Sequence, residues 1–365
     1  MRFTIDRLTL ATAITNVSKA VSPKAAIQSL EGILVKIREG AIILCAYDLE
    51  FSITTTLDAT DTIYGDIVLP AGRFCDMVKR LDSEKVTVEV DEKCLVTLTG
   101  GNTVYTILGI PALDFPTVPN VNDDSNIEVD SVLLKNMIDR TIFAVSEDES
   151  RVAYTGLLFD FGTDSLTVVG VDGFRMAVRT EKIKNDINHQ LIVPAKTLRE
   201  ITKLMEEEEG VTKICFTMKR ISFEIGNYTV FSRLIEGDFF KYKEAVPTSF
   251  KTTFEMERRT LVNALDRMSL IVIERFKNPI KCAIEGGAIV MNLDTTIGKA
   301  SDTIPCDYEG EDIKIGFNCR YMLDSLRACE SDKIKVKISG PLSPIIIEPK
   351  NRENAFYLVL PIRLK

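Results

Sequence analysis

The chain repeats its own pattern of residues at a spacing of 124 positions. Positions in the first third recur in the second third, and several continue into the last. Sets that share this spacing are Asp6 with Asp130, Gly32 with Gly156, Asp48 with Asp172, Glu200 with Asp324, Pro70 with Pro194 and Asn318, and Lys79 with Lys203 and Arg327. Equivalent modules are typical of proteins that work through their overall shape, whereas a catalytic site normally needs one unique set of residues.

The composition fits a globular protein built from such modules. Each third of the 365 residues is about the size of a common domain. An apolar fraction of 45% with 27% charged residues excludes wholesale disorder. The sequence shows neither an apolar run of membrane-spanning length nor a signal peptide, and we therefore expect a cytoplasmic protein.

Cysteine and histidine usage argues against several kinds of catalytic site. The eight cysteines include no C-x-x-C pair, so we expect free thiols. The single histidine, His189, lies in a polar segment and is expected in a solvated loop. Ser-His and Cys-His catalysis and most zinc chemistry are thereby excluded. Glycine-rich phosphate-binding motifs are also absent, and we expect no cofactor and no metal.

Each module is predicted to contain two helices separated by strands. The first helix of each follows a carboxylate that accepts free backbone N–H groups, and aspartate does this better than glutamate. The carboxylates are Asp6, Asp130 and Glu257, and the second helices follow Pro70, Pro194 and Asn318. Apolar residues recur at helical spacing behind these positions. The order of strand, helix, several strands, helix and several strands favours an α+β fold with antiparallel sheets. Polar linkers place the domain boundaries so as to give domains 1–122, 123–249 and 250–365.

Basic residues recur on the outward face of the second helices. One position holds Lys79, Lys203 and Arg327, and another holds Lys196 and Arg320. The simpler interpretation is a solvated face, because Asp76, Glu200 and Asp324 stand three residues before the first of these positions, where ion pairs form. The basic position nevertheless recurs in a chain of net charge −8. This recurrence favours a surface that binds phosphate groups without recognising base sequence.

Two other classes of function stay open at this point. An enzyme would use carboxylates such as Asp48, Glu50 or Asp172, although aspartate in these turn-like contexts commonly stabilises the turn. A protein-binding scaffold that never meets DNA would share the same modular pattern.

The chain resembles the bacterial DNA polymerase III β subunit family, the β sliding clamps, along its whole length. The segments that carry the resemblance are Met1-Arg2-Phe3, residues 110–116, Arg151 to Val178, Gly316-Phe317-Asn318 and residues 357–364. The resemblance implies a non-catalytic processivity subunit that forms a ring of two chains, head to tail, with helices around a central hole through which duplex DNA passes.

This family resemblance also implies two surfaces of the ring. Residues expected to line the hole are Lys24, Arg73, Lys79, Arg80, Arg140, Lys196, Arg199, Lys203, Arg267, Arg320 and Arg327. Residues expected at the contact between chains are Tyr105 and Ile107 on one side and Leu270, Ile271 and Phe276 on the other. Leu270 also stands opposite the core face of its helix, where an exposed leucine needs a partner or local packing.

The third implied surface is an apolar pocket for short peptides of the replicative polymerase α subunit, the clamp loader, repair polymerases and mismatch-repair proteins. Its expected residues are Arg151, Tyr154, Val171, Gly173, Phe174, Arg175, Met176, Phe240, Ala245, Tyr321, Leu342, Leu358, Leu360, Pro361, Ile362 and Arg363. For Leu358, packing of the last strand is an equal alternative. Phe174, Phe240 and Glu244 depart from the residues common in the family, and we expect them to alter the preferred peptides. The family works in the cytoplasm, at the nucleoid during replication.

Overall fold

The computed structural model describes residues 1–22, 24–121, 126–208, 210–272, 278–350 and 354–364, and three successive sets of elements follow one another along them. The first set is β1 (Arg2–Asp6), α1 (Arg7–Val17), β2 (Gly32–Arg38), β3 (Ala41–Tyr47), β4 (Phe51–Asp58), β5 (Thr60–Ile63), β6 (Gly65–Pro70), α2 (Ala71–Arg80), β7 (Lys85–Val90), β8 (Leu95–Gly100), β9 (Thr103–Leu108) and β10 (Ile110–Pro111). The second set is β11 (Asn126–Asp130), α3 (Ser131–Asp139), β12 (Gly156–Gly162), β13 (Ser165–Val171), β14 (Arg175–Lys182), β15 (His189–Pro194), α4 (Ala195–Glu207), β16 (Val211–Phe216), β17 (Arg220–Ile225) and β18 (Tyr228–Arg233). The third set is β19 (Thr252–Glu257), α5 (Arg258–Ser269), β20 (Ile280–Glu285), β21 (Ala288–Thr295), β22 (Gly298–Pro305), β23 (Tyr308–Gly310), β24 (Ile313–Phe317), α6 (Cys319–Ala328), β25 (Lys333–Ile338), β26 (Ile345–Pro349) and β27 (Ala355–Val359).

The helices follow the repeat seen in the sequence. The second helices α2, α4 and α6 begin at Ala71, Ala195 and Cys319, so each starts one repeat length after the last. At the first helices, the carboxylates of Asp6 and Asp130 each accept a backbone N–H at 2.8 Å, from Thr9 and Leu133. Glu257 accepts none through its side chain. The predicted ranking of these caps is therefore confirmed.

Every strand pair among the described residues is antiparallel, which confirms the predicted α+β class. The strands form one five-stranded, two nine-stranded and one four-stranded sheet within the described ranges. Adjacent strands in the chain are mostly neighbours in a sheet, as hairpin connections require.

The first compact unit contains residues 1–134 and 196–234. Its sheets have the strand orders β5-β1-β7-β8-β9 and β10-β6-β2-β3-β4-β18-β17-β16-β11. Helix α1 packs against α2 and against β3 and β4, with Leu10, Ile14 and Val17 fully buried. Phe74 and Val78 of α2 are also fully buried, so the opposite face of α2 is exposed.

The second compact unit contains residues 135–195 and 235–365. Its sheets have the strand orders β15-β12-β13-β14-β27-β26-β25-β19-β23 and β22-β21-β20-β24. Helices α5 and α6 pack against each other, and Leu265, Met268 and Leu326 lie in the same core as the four-stranded sheet. A separate apolar cluster around Val171, Met176 and Leu358 lies on the nine-stranded sheet.

Two strand pairs join elements from different repeats. In the first unit β4 pairs with β18, for example Ile53 with Val230. In the second unit β14 pairs with β27, for example Met176 with Leu358. The middle repeat therefore contributes four strands to a sheet of each compact unit: β11 and β16 to β18 to the first unit, and β12 to β15 to the second. The two compact units thus do not coincide with the three modules seen in the sequence.

The eight cysteines are free, as expected. Burial raises the pKa of the Cys282 thiol to about 12, and it raises that of Cys319 to about 12 as well. Both stay protonated at neutral pH, so these thiols are packing groups. The described residues contain no cluster of His, Cys, Asp and Glu that could hold a metal ion. Within the same ranges, no helix has the length and apolar character needed to cross a membrane.

Gly156→Ala tests why glycine recurs at the start of β2 and β12. A Cβ at Gly156 would lie 2.5 Å from the carbonyl oxygen of Val193, and one at Gly32 would lie 2.7 Å from that of Leu69. Because these contacts are with paired backbone, we expect the Gly156→Ala substitution to lower the free energy of unfolding by about 1–3 kcal/mol. The measurement is urea denaturation followed by circular dichroism.

Gly72→Ala is the matched control, because a Cβ there meets nothing within 4 Å and the residue lies in α2. We expect that control to be neutral or to gain up to about 1 kcal/mol from helix propensity. A Gly156→Ala protein as stable as the wild type would contradict the close-approach explanation.

Candidate functional site

A cavity of about 310 Å³ opens on the nine-stranded sheet of the second unit. It lies at the turn between β13 and β14, beside the segment after β18 and the chain that leaves β27. Its lining residues are Arg151, Tyr154, Val171, Gly173, Phe174, Arg175, Met176, Phe240, Ala245, Pro344, Leu358 and Leu360. Except for the two arginines, these side chains are apolar or aromatic, as is typical of sites that bind apolar ligand groups.

The turn between β13 and β14 sets one wall of the cavity. The carboxylate of Asp172 accepts the backbone N–H groups of Phe174 at 2.8 Å and of Arg175 at 2.9 Å. Gly173 has a φ of +88°, a left-handed conformation that glycine adopts without strain. A Cβ there would also lie 2.7 Å from Nη1 of Arg151. The turn thus directs Phe174 outwards, where it is 52% exposed.

Arg175 is held inside the site instead of facing a ligand. Its guanidinium donates to Asp172 at 2.9 Å and to Asp324 at 2.5 Å, and only 9% of the residue is exposed. The same group lies 4.6 Å from the ring centroid of Tyr321 and 5.2 Å from that of Phe143. Two carboxylates and two aromatic faces satisfy this buried charge, so Arg175 positions the wall.

Tyr321 supports the wall from outside the cavity. Its ring stacks on Phe174 with centroids 6.2 Å apart and an interplanar angle of 22°. Burial, together with the negative charge of Asp172, raises the pKa of the Tyr321 phenol, which therefore stays neutral at physiological pH. The predicted pocket residue Tyr321 thus acts through Phe174 and does not line the cavity.

The last described strand, β27, and its continuation form a second wall beside β14. Leu358 is 4% exposed and pairs with Met176 in β14 and with Ile346 in β26, so it serves both the core and the cavity. Leu360 donates its backbone N–H to the carbonyl of Phe174 at 2.8 Å and keeps 38% of its surface exposed. Ile362 donates to the carbonyl of Gly316 at 2.7 Å.

Not every predicted pocket residue lines the cavity. Pro361, Ile362 and Arg363 lie outside the lining, because the backbone pairing of Ile362 draws this segment toward β24. Leu342 is 65% exposed and also lies outside it. Pro344 does line the cavity and was missed. Its position in a Pro-Leu-Ser-Pro turn gives no periodic signal that would mark it as a wall residue.

The segment after β18 supplies the third wall through Phe240 and Ala245. Between them, Tyr242 is 6% exposed and donates its hydroxyl to Asp160 at 2.7 Å. Lys243 lies 3.2 Å from the same carboxylate. Burial and the bond to Asp160 raise the pKa of Tyr242 far above its usual range. Glu244, one of the residues expected to alter the preferred peptides, has its carboxylate 3.7 Å from the ammonium of Lys241.

The predicted lining cations of the first unit fall into two groups. Arg73, Lys79 and Arg80 are exposed on α2, and Arg199 is exposed on α4, with no ion pair to any described residue. Lys196 pairs with Asp48 at 2.6 Å, and Lys203 with Glu200 at 2.9 Å. Lys24 is exposed in a turn.

The predicted lining cations of the second unit are all paired. The pairs are Arg140 with Glu330 at 3.5 Å, Arg267 with Asp302 at 2.6 Å, Arg320 with Asp324 at 3.9 Å and Arg327 with Asp266 at 2.7 Å. The expected ion pair within one helix forms for Lys203. It does not form for Arg327, whose partner lies on α5 because Asp324 is bound to Arg175.

Of the predicted chain-contact residues, Tyr105 and Ile107 lie on an edge strand of the first unit, β9. Strand β9 ends the five-stranded sheet of the first unit, and β22 ends the four-stranded sheet of the second. Ile107 is only 6% exposed, so the apolar side chains that β9 presents to solvent are Val104 and Leu108. Leu270 follows α5 and is 82% exposed, as predicted. Ile271 packs partly against the core, and Phe276 falls outside the described residues.

Two of the three carboxylates considered for catalysis, those of Asp48 and Asp172, stabilise turns. Asp48 accepts the backbone N–H groups of Glu50 at 3.0 Å and Phe51 at 2.7 Å, and Asp172 forms the equivalent turn in the next repeat. These observations favour the structural interpretation of both residues.

Three domain-family models match the chain. They are the N-terminal domain of the DNA polymerase III beta subunit over residues 1–119, the central domain over 128–241 and the C-terminal domain over 243–363. Among similar curated proteins, the beta sliding clamp of Staphylococcus aureus strain Mu50 is 32% identical over 376 residues, covering 100% of this chain and 99% of its own. That of Staphylococcus epidermidis is 31% identical over 378 residues with the same coverage.

Solved structures of similar proteins share the whole fold. A putative DNA polymerase III beta subunit from Eubacterium rectale is 31% identical with a TM-score of 0.95, and the DNA polymerase sliding clamp from Bacillus subtilis is 29% identical with a TM-score of 0.95. In both comparisons 100% of each chain is covered. The repeated α+β modules and these matches define a clamp of the DNA replication machinery.

The chain belongs to the DNA polymerase III β subunit family, which confirms the resemblance drawn from the sequence. It functions as a DNA sliding clamp, a non-catalytic processivity factor of replication.

Tyr242→Phe tests whether the bond to Asp160 stabilises the fold beside the wall that carries Phe240. Removing one buried hydrogen bond is expected to cost about 1–2 kcal/mol of folding free energy. Burial raises the pKa of Asp160, but the hydrogen bonds that its carboxylate accepts, above all from Tyr242, lower it by more. The pKa of Asp160 in the folded protein therefore lies below its ordinary value. The stability that the ionised carboxylate contributes is fully present above the ordinary aspartate pKa of about 4, and it is lost as the pH falls through the pKa of the folded state.

We therefore expect the Tyr242→Phe variant to lose less stability on acidification than the wild type, measured as urea midpoints from pH 7 to pH 3. Tyr64→Phe is the control, because Tyr64 is 64% exposed. An unchanged pH dependence in the Tyr242→Phe variant would contradict the role of this bond.

Proposed function

We propose that two copies of this clamp close head to tail into a ring around duplex DNA and that the cavity of the second unit tethers other replication proteins to it. The ring holds DNA topologically, so that tight binding is unnecessary and the clamp moves along the duplex. The chain is proposed to comprise domains 1–122, 123–249 and 250–365. Its proposed place of action is the cytoplasm, at the nucleoid during replication.

The observation that carries the tethering proposal is the cavity itself. It is apolar, open and already formed, and its walls come from three separate segments around Met176, Phe240 and Leu360. Arg175 is occupied by Asp172 and Asp324, so a bound peptide meets apolar groups and one peripheral guanidinium, that of Arg151. Such a site suits a short segment with bulky apolar side chains.

The proposed occupants are short linear segments of the replicative polymerase α subunit, the clamp loader, repair polymerases and mismatch-repair proteins. Because one cavity would serve all of them, we expect these partners to compete. Phe174, which stacks on Tyr321, and Phe240 are both partly exposed lining residues. They give the cavity an aromatic surface, which favours aromatic or aliphatic groups over charged ones.

Free sheet edges support the head-to-tail ring. Strand β9 and strand β22 each leave one side of their backbone unpaired among the described residues. A head-to-tail contact joins two unlike surfaces, and it closes into a ring when the rotation permits. The exposed Val104 and Leu108 on one edge and Leu270 near the other supply apolar area that needs cover. Six helices in the described part of each chain give twelve in the ring.

Leu360→Ala tests the tethering cavity. Burying a leucine side chain contributes about 1.5–3 kcal/mol, so we expect affinity for the polymerase α subunit of the same organism to fall about tenfold to a hundredfold. The measurement is surface plasmon resonance, with sedimentation velocity to show that the oligomeric state is unchanged. Leu342→Ala is the matched control, since Leu342 is 65% exposed and lies outside the lining.

Equal losses for Leu360→Ala and Leu342→Ala would argue against the cavity as the receptor. Loss of the dimer in the Leu360→Ala variant would show that the segment after β27 has a structural role instead.

Leu270→Asp tests the ring. A charge at the interface would be desolvated without a partner, so we expect monomers in sedimentation velocity at micromolar concentration. Wild-type clamp loaded onto nicked circular DNA by its loader and ATP should stay on the circle and leave after the circle is cut. The Leu270→Asp variant should not be retained on either form. Met218→Asp is the control, because Met218 is 78% exposed in the turn between β16 and β17, away from the helices.

Two outcomes would contradict the ring. One is wild-type retention that is unchanged by cutting the circle, and the other is a Leu270→Asp protein that remains dimeric.

A further inference from the structure

The predicted lining cations of the second unit are all ion-paired, whereas those of the first unit include both paired and unpaired residues. The contrast is clearest at the position of the repeat occupied by Lys79, Lys203 and Arg327. Lys79 has no ion-pair partner among the described residues, whereas Lys203 pairs with Glu200 and Arg327 with Asp266. Equivalent cations therefore stand in unequal electrostatic surroundings.

From this we infer that phosphate contacts are made mainly by the unpaired cations of the first unit, Arg73, Lys79, Arg80 and Arg199, and that the paired arginines of the second unit contribute little. The inference rests on the proposed passage of duplex DNA along these helices.

Three of the four unpaired cations lie on the exposed side of α2, and Arg199 lies on α4. Arg73, Lys79 and Arg80 are exposed, while Phe74 and Val78 on the opposite face are fully buried. Arg80 and Lys79 also stand in the last turn of the helix. Arg73 lies two turns before Arg80, on the same side, since residues seven apart are aligned on a helix. Arg73 and Arg80 can therefore both face the phosphate backbone of a duplex that passes along α2.

In the second unit each lining arginine has a carboxylate close to its guanidinium. Nη2 of Arg327 lies 2.7 Å from Asp266, and Arg267 donates to Asp302 through Nε at 2.9 Å and Nη2 at 2.6 Å. The Arg320 guanidinium lies 3.9 Å from Asp324, which also binds Arg175.

A neighbouring carboxylate weakens the attraction of an arginine for phosphate for two reasons. The guanidinium must first give up its present acceptor, and the carboxylate then stays close to the phosphate and repels it. Exposed ion pairs are individually weak, so the arginines remain mobile enough to exchange partners. The retained negative charge is what makes the exchange unfavourable, and removing that charge should therefore activate the arginine.

A double-substitution cycle tests this directly. The four proteins of the cycle are wild type, Arg327→Ala, Asp266→Asn and the double variant Asp266→Asn with Arg327→Ala. Lys79→Ala, which removes an unpaired cation, is measured beside them for comparison. The measurement is fluorescence anisotropy of a short linear duplex with intact clamp over a series of salt concentrations. The slope of log K against log salt has a magnitude of about 0.9 for each phosphate that the protein neutralises.

We expect Lys79→Ala to reduce the magnitude of that slope by about 0.9 for each Lys79 that contacts a phosphate, up to about 1.8 in a ring of two copies. Arg327→Ala should leave the slope nearly unchanged in the wild-type background. In the Asp266→Asn background, Arg327→Ala should reduce the slope as Lys79→Ala does. Thermal melting monitors the fold of every variant, and all three positions are at least partly exposed.

Equal effects of Lys79→Ala and Arg327→Ala in the wild-type background would overturn the inference. An effect of Arg327→Ala that is the same with and without the Asp266 carboxylate would do so as well. If no cation substitution alters duplex binding, the lining assignment itself fails, and retention on circular DNA tests the ring independently of that result.

Discussion

The backbone ladder between strands of different repeats is the constraint on which the rest of this structure depends. Each repeat has sheet edges that it does not cover itself, and unpaired N–H and C=O groups are costly when they are buried. Pairing of β4 with β18 and of β14 with β27 removes that cost. The second of these ladders places Leu358 beside Met176, and Leu360 then bonds to Phe174. The cavity is therefore a consequence of how the sheet continues from one repeat into the next.

Charge at this site is used to hold walls in place. Arg175 links Asp172, Asp324, Tyr321 and Phe143, so a buried guanidinium ties the turn after β13 to α6. Its satisfaction by two carboxylates and two rings leaves an apolar cavity. The first repeat has an equivalent turn at Asp48, where the second carboxylate oxygen binds Lys196 instead. One repeated turn thus serves different local networks, because the residues around it are not repeated.

Sequence reasoning succeeded where interactions are local. The caps at Asp6 and Asp130 and the exposure of Leu270 depend on residues within a turn or two of helix. It failed where a side chain has a choice of distant partners. Asp324 stands three residues before Arg327, yet it binds Arg175, and Arg327 takes Asp266 from the neighbouring helix. The prediction that Ile362 lines the pocket is wrong for a related reason. Its backbone pairs with Gly316, which is distant in the chain, and only the fold shows this.

The sequence by itself determined the threefold repeat, the positions of the helices, the free thiols and the segments that identify the family. These follow from periodicity, capping and residue type, which act over a few neighbouring positions. Tertiary structure alone decided which strand edges meet, which side chains close around the cavity and which cations keep a free charge. Those outcomes depend on groups far apart in the chain, and a backbone edge or a charged side chain carries no local mark of the partner it will meet.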